Sequence, residues 1–508
     1  MRILATLAVL LSTLSLVAGC LDSGPTADVA APVGCPESRY DLDGLRIVPT
    51  TTDPIVDDKD QALEFETTNG RTCSLPAIGW SALDPDGTPH KYLGELDMRG
   101  DLGLGAVAVV GSGEPGRVYL VDIANRANPE VLSFIDLPGA HVTDVKISDD
   151  GQVLYVASQA LPTLELATGT APDIAASSGF TVYGLADPTN PTYLGTVPDE
   201  GIGCHMLDPV QVSATQDAVM CISSNLKSYL VQRDGARIIP FGFVEYFPDV
   251  DGVPTPSSVS ALGDPTCSLP APAPSPGLCA LSSGPHDMTA FHTNGAFGDG
   301  ESYLVVSHWG EGVKVLDITG APVITEVGSW KGEGAAHYNG NVHTAMMFEA
   351  GGKRYIVASP EYTSAGTVPG LWVLDATDLS ALKLVAEWYH PGLHDSQGLF
   401  LTTHQWQVAP TGGDVATDDV RIYLTMNHGG LWVLDFGAIL RGDSQDAILG
   451  FNLARTPIPE DHVGNAILST WDVNVVDGYI YGTDRATGLW VFHYTGDEYD
   501  DVRLTGFA

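Results

Sequence analysis

Six strings recur along the chain at intervals near sixty residues: GRVYLVDIANRANP (116–129), FTVYGLADPTNP (180–191), EGVKVLDITGAP (311–322), GLWVLDATD (370–378), GLWVLDFGA (430–438) and GLWVFHYTG (488–496). Each is a run of β-branched and aromatic residues, entered in most copies by Gly and left by Asp or a turn. Asp122, Asp317, Asp375 and Asp435 align, with Gly184 and His493 in the same place; the spacing is 62 from Asp122 to Gly184, then 58, 60 and 58 from Asp317 onward. The gap between 184 and 317 places a seventh, degenerate copy at KSYLVQRDGARIIP (227–240). A repeat of this length is one supersecondary unit that buries its faces only by packing against its neighbours.

Within a period the pattern is constant. An alternating run such as TDVKIS (143–148) meets a turn at Asp149-Asp150-Gly151, then VLYVAS (153–158), the repeated motif, and a last run such as TYLGTV (192–197). Short β-rich runs separated by Gly, Pro, Asn and Asp read as antiparallel strands. Four strands per fixed period predict propeller blades, and seven copies predict an all-β, seven-bladed β-propeller over 91–508. VYLVDIANRANP with its following strand resembles the LVIVD-repeat family over roughly residues 95–500. The resemblance implies a β-propeller and leaves the biochemical role open. Residues 248–285, dominated by Pro and Ser, read as an insertion. The last unit supplies three strands, so its fourth is expected from the N-terminal segment 41–90 or just beyond. PHKYLGELDMR (89–99) is the expected outer strand that closes the ring and removes open edges.

Residues 1–19 read as an export signal: Arg2, a short apolar run, then Val17-Ala18-Gly19 before Cys20. The run is too short for a spanning helix. The string resembles a bacterial lipobox, which implies cleavage before Cys20 and a lipid on its thiol. Several acyl chains anchor a protein stably. Residues 20–40 then form a lipid-bearing, flexible tether. Leu21 favours the outer membrane of a bacterial cell envelope. The net charge of −40 excludes a nucleic-acid partner, because phosphate would be repelled, and leaves the lipid as the membrane contact. Besides Cys20 the exported chain holds Cys35, Cys73, Cys204, Cys221, Cys267 and Cys279, an even set suited to disulfides. Six cysteines allow 15 pairings, of which proximity favours 35–73, 204–221 and 267–279. Trp372, Trp432 and Trp490 recur at one repeat position and are expected in the core.

The histidines carry the one chemical signal. His286, His343 and His404 begin the first strand of three consecutive units, and His205 and His141 sit near the same place. His308 and His428 end second strands on the same face, where Glu361 and Asp484 hold that place in two other units. His337, His390, His394 and His462 fall in the connectors between units; only His90, His292 and His493 fall elsewhere. First strands are innermost in a propeller, so imidazoles would converge on the channel. Imidazoles fixed on a rigid ring suit copper or zinc. The competing expectation is that polar residues here, such as Asp144, Asp287 and Asp472, bond neighbouring backbone. The inner candidates are His286, His343 and His404, followed by His205, His308 and His428. Calcium is a lesser expectation: the three Asp-x-Asp-Gly strings, at 41–44, 84–87 and 249–252, lack the rest of a calcium loop and read as turns. No residues are assigned to catalysis. The chain is expected to be a monomeric binding module for a protein, glycan or small molecule. A metal-dependent oxidoreductase, using copper or zinc at the channel mouth, is the alternative.

Overall fold

A computed structural model describes 47–49, 65–67 and most of 72–496. Within that last range it leaves out 76, 86–92, 110–115, 139, 160–178, 199–202, 214–215, 223–225, 233–237, 240–284, 293–300, 310, 322–323, 337, 339–340, 362–369, 391–401, 411–414, 445, 453–469 and 486. The signal and tether, Cys20, Cys35, Cys267, Cys279, the 248–285 insertion except Pro285, His90, His337, His394 and His462 lie outside the described residues. Among the described residues no helix is long and apolar enough to cross a membrane.

Among the described residues, seven antiparallel sheets of four or five strands follow one another along the chain, besides a two-stranded sheet of 47–49 and 65–67. Blade one spans Leu93–Arg99 to Glu130–Leu137, blade two His141–Ile147 to Thr192–Pro198, and blade three Met206–Ser213 to Ile238–Ile239. Blade four runs from Pro285–His292 to Thr325–Trp330, and blade five from Thr344–Ala350 to Lys383–Tyr389. Blade six opens at Trp406–Ala409 and blade seven at Thr470–Val476. The first strand of each blade touches those of both neighbours, and that of blade seven touches that of blade one, so the ring is closed.

The repeated motif is the third strand. Its closing Asp turns the chain: Asp122, Asp317 and Asp375 each accept from the backbone N–H two residues on, at 2.8–3.0 Å, and Asp435 caps a short helix through Ala438 N–H at 2.9 Å. The entering Gly is required by conformation and space. Gly312 has φ +83° and a Cβ there would lie 2.0 Å from the Trp330 carbonyl oxygen. Only glycine meets both demands cheaply.

The core is divided into seven apolar clusters, one at each blade junction. Trp372, Trp432 and Trp490 are buried in three of them, as expected from their alternation. Their indoles donate to Tyr389 Oη, the Gly429 carbonyl and Thr487 Oγ1.

Ring closure differs from the sequence expectation. Leu93–Arg99 is the innermost strand of blade one, paired with Leu104–Val109. The fourth strand of blade seven is Ala77–Ser81, which pairs with Gly488–His493. Thr72–Cys73 adds a fifth strand to blade six, outside Ile448–Asn452. The physical reason lies in burial: 93–96 is buried on both faces, as an inner strand must be, whereas 77–81 is half-exposed and fits an outer edge.

Candidate functional site

The inner strands open on one face of the ring, and that mouth is lined with rings. His205, His286, His343 and His404 come from blades three to six. Neighbouring ring centroids are 4.6, 4.2 and 4.6 Å apart. Trp471 of blade seven continues the row, 3.9 Å from His404. The Arg485 guanidinium lies 3.9 Å over Trp471, whose indole donates to Glu95 Oε1 at 3.0 Å. Trp309 stacks on His286 at 4.3 Å and 10°. His286, His343 and His404 are all buried, so the row is a packed wall rather than a fringe of surface histidines.

Each imidazole has two nitrogens, and the partner of one fixes the role of the other. His404 Nδ1 lies 2.8 Å from the Trp471 carbonyl oxygen, and His308 Nδ1 lies 2.9 Å from the Trp309 carbonyl oxygen. A carbonyl only accepts, so both rings carry the proton on Nδ1. His205 Nδ1 lies 3.2 Å from Gln159 Oε1, which asks for the same tautomer. His343 Nδ1 sits 2.7 Å from Thr344 Oγ1. That hydroxyl has a single proton, and the His404 carbonyl and Gln405 Oε1 lie 3.2 and 2.9 Å away to take it. His343 therefore donates from Nδ1 as well. All four rings thus carry the proton on Nδ1, which leaves Nε2 as the acceptor nitrogen; His205 Nε2 accepts from His286 Nε2–H at 3.0 Å.

Three donors converge. One ligand atom each of His286, His343 and Glu361 lies within 4.8 Å of the others, and all three residues are buried. His343 Nε2 is 3.7 Å from Glu361 Oε2, and His205 Nε2 is 3.0 Å from His286 Nε2. Donors of a tetrahedral zinc ion with bonds of about 2.0–2.1 Å sit roughly 3.3–3.4 Å apart. The observed separations bracket that value.

The sequence candidates divide accordingly. His286 and His343 belong to the converging group, and His205 joins through His286. His404 extends the row. His308 ends its strand on the same face, and burial pushes it down to about 4, which keeps it neutral. His428 falls in the turn Asn427–Gly429, and its side chain is outside the description. His390 is buried edge-on against Trp432 in the core and does not join the row. Glu361 matched the place of His308 in the repeat without being chosen as a ligand. Trp471 precedes Asp472 as His286 precedes Asp287, a register signal that could have placed it in the row.

Below the mouth, carboxylates stitch the blades together. Asp144 accepts from Leu207 N–H and Asp472 from Leu96 N–H, both at 2.9 Å. One tier down, Asp97 accepts from Ile147 N–H and Asp208 from Ala290 N–H, both at 2.6 Å. The backbone-bonding expectation thus holds for Asp144 and Asp472, and also for Asp287, which accepts from Met288 N–H at 2.7 Å. Burial pushes Asp208 and Asp287 up to about 7 and Asp472 to about 6, and it raises Glu95, Asp97 and Asp144. Lys146, 2.9 Å from Asp144, opposes each of these shifts. Burial disfavours its own charge, but Asp144, Asp97, Glu95 and Asp472 outweigh that and hold it well above the ordinary lysine value.

Cys204, just before the first strand of blade three, forms a disulfide with Cys221 in its second strand (Gln216–Ile222), with Cα atoms 5.6 Å apart. Cys73 is placed only through its strand.

No family model matches the chain, and no curated protein does. Solved structures similar to it include the β-propeller domain of Cps50 (Swd1) from Myceliophteria thermophila, at 11% identity and TM-score 0.46, covering 79% of this chain and 97% of that one. The periplasmic gluconolactonase PpgL of Pseudomonas aeruginosa is similar at 14% identity and TM-score 0.44, covering 80% and 94%. A putative 6-phosphogluconolactonase from Bacteroides fragilis follows at 13% and 0.42, covering 78% and 95%. These likenesses concern the propeller fold; none bears on what this chain binds.

Proposed function

We propose that this chain is an LVIVD-type, lipid-anchored propeller of the bacterial cell envelope that binds a transition-metal ion, zinc or copper, in its histidine-lined mouth. The observation that carries the reading is the convergence of His286, His343 and Glu361 within 4.8 Å, with His343 protonated on Nδ1 so that Nε2 is its metal-binding nitrogen. His205, whose Nε2 lies 3.0 Å from His286 Nε2, stands next to this group but outside it. Two imidazoles and a carboxylate are borderline ligands that suit zinc and copper and disfavour calcium. The blades fix each donor on a strand end, which supplies the preorganisation a metal site needs.

The test is elemental mass spectrometry on the full chain, exported, purified in detergent without a histidine tag, and dialysed against zinc or copper. About one equivalent should be retained by the native chain and lost in the double variant His343→Ala, Glu361→Ala. A folded chain that takes up neither metal refutes the reading. Copper retention would open redox assays of the same site. The anchor is tested separately: Cys20→Ala should move the chain from the membrane fraction to the soluble one, and unchanged fractionation would refute it.

A further inference from the structure

The converging donors sit on a second arrangement that crosses a blade junction. His343 is the residue before the inner strand of blade five, and its Nδ1 meets Thr344 Oγ1 at 2.7 Å. Thr344 faces blade six, where the His404 carbonyl and Gln405 Oε1 lie 3.2 and 2.9 Å from its hydroxyl. The same hydroxyl also favours the charged form of the Asp287 carboxylate of blade four. All of these oxygens can accept, and the His404 carbonyl can do nothing else. One hydroxyl proton among several acceptors leaves the Thr344 oxygen free to receive a proton from the imidazole. Even with the Gln405 amide turned over, the His404 carbonyl still takes the hydroxyl proton, so the direction of the relay is unchanged. Thr344 and Gln405 are buried, which keeps water from substituting for either.

We propose that Thr344, backed by Gln405 and the His404 carbonyl, is a positioning residue that locks His343 with its proton on Nδ1 and its Nε2 lone pair aimed at Glu361 and the metal. The proposal rests on the metal-binding reading above. It makes affinity at blade five depend on a side chain that blade six holds in place. Outer-shell partners of metal-bound histidines commonly govern affinity by about 10–100-fold. Threonine serves here where a carboxylate or carbonyl more often does, and its β-branched stem restricts the rotamer.

The experiment is a competition titration of Zn²⁺ against a chromophoric chelator on the full chain and its variants. Thr344→Val keeps the shape and removes the oxygen, and should weaken zinc binding about 10–100-fold. Thr344→Ser restores the oxygen and should return affinity to within about threefold of native. If the valine variant does not fold, Thr344→Ala replaces it with the same expectation. Thermal unfolding of the metal-free chains reports the structural effect of each change. A folded variant lacking the hydroxyl that binds zinc as tightly as native overturns the proposal, as does a serine variant as weak as valine. Absence of zinc binding in the native chain itself would instead overturn the metal reading.

Discussion

Replacing Lys146 with Met would remove the cation shared by the carboxylates beneath the mouth. Its ammonium is 2.9 Å from Asp144 Oδ1 and acts on Glu95, Asp97, Asp208, Asp287 and Asp472 as well. Unit charges about 4 Å apart interact by about 4 kcal/mol at an effective dielectric of 20, and breaking a buried pair costs about 3–5 kcal/mol. The cost should depend on pH, and the sign follows from the direction of the shifts. Asp208 and Asp472, at about 7 and about 6, sit above their unfolded values near 4. The stability tied to them is full below pH 4 and is lost as pH rises through 6 to 7. Without Lys146 their folded values climb further, so the loss continues above pH 7. Lys146→Met should therefore be nearly neutral at pH 4 to 5 and should cost roughly 3–5 kcal/mol at pH 8. For a chain of 508 residues the unfolding entropy is about 1 kcal/mol per kelvin, so the midpoint should fall by about 3–5 °C at pH 8. Tryptophan-fluorescence melting from pH 4 to 9, native against variant, measures it. An equal drop in midpoint at pH 5 and pH 8 would refute the electrostatic reasoning.

Asp208→Asn carries the neutral form permanently. It should flatten the native decline in stability between pH 5 and 8 while keeping an acceptor for Ala290 N–H, as pH-dependent melting would show. Opening the Cys204–Cys221 disulfide by Cys204→Ala with Cys221→Ala releases a loop of sequence separation 17. That should cost about 3 kcal/mol, read by denaturant titration, and an unchanged midpoint would argue against the bridge. Gly79 of the closing strand has no room for a side chain, since a Cβ there would lie 1.9 Å from the Arg126 carbonyl oxygen. Gly79→Val should lower stability by about 1–3 kcal/mol and expose blade seven to limited proteolysis before the other blades. Uniform protease resistance would count against the assigned closure.

Much of the fold was legible because the third strand of each blade has local constraints that repeat. Asp ends it with a side-chain turn, and Gly enters it where backbone crowds backbone. Those constraints act through neighbouring residues, so they leave a trace in a single sequence. Ring closure is set by contacts about 400 residues apart, and no local rule marks Ala77–Ser81 as the partner of Gly488–His493. LGELDMR also reads as an outer strand from its polar residues. Its Glu95 and Asp97 instead turn inward, where they accept from the Trp471 indole and the Ile147 N–H. The histidine row was readable because inner strands begin at a fixed place in the repeat. Glu361 was visible only as a matching place, because a carboxylate at a turn is ordinary until its distance to His343 is known. Trp471 was hidden by chemistry, since an indole in the register of an imidazole does not announce itself as part of a polar wall.

The chain delivers one strand of its last blade at the beginning and the other three at the end. Ala77–Ser81 leaves the ribosome long before Gly488–His493, and Trp80 waits for a carbonyl 407 residues downstream. At about 5–20 residues per second that interval is roughly 20–80 s. For all of it the strand is an unmatched edge with Ile78 and Trp80 on it, open to the wrong partner. Six blades can assemble one after another as they emerge, yet no ring exists until the final strand arrives. Completion of the disc is thus a single late event, and a chain cut short at its C-terminus would leave an adhesive edge at its N-terminus.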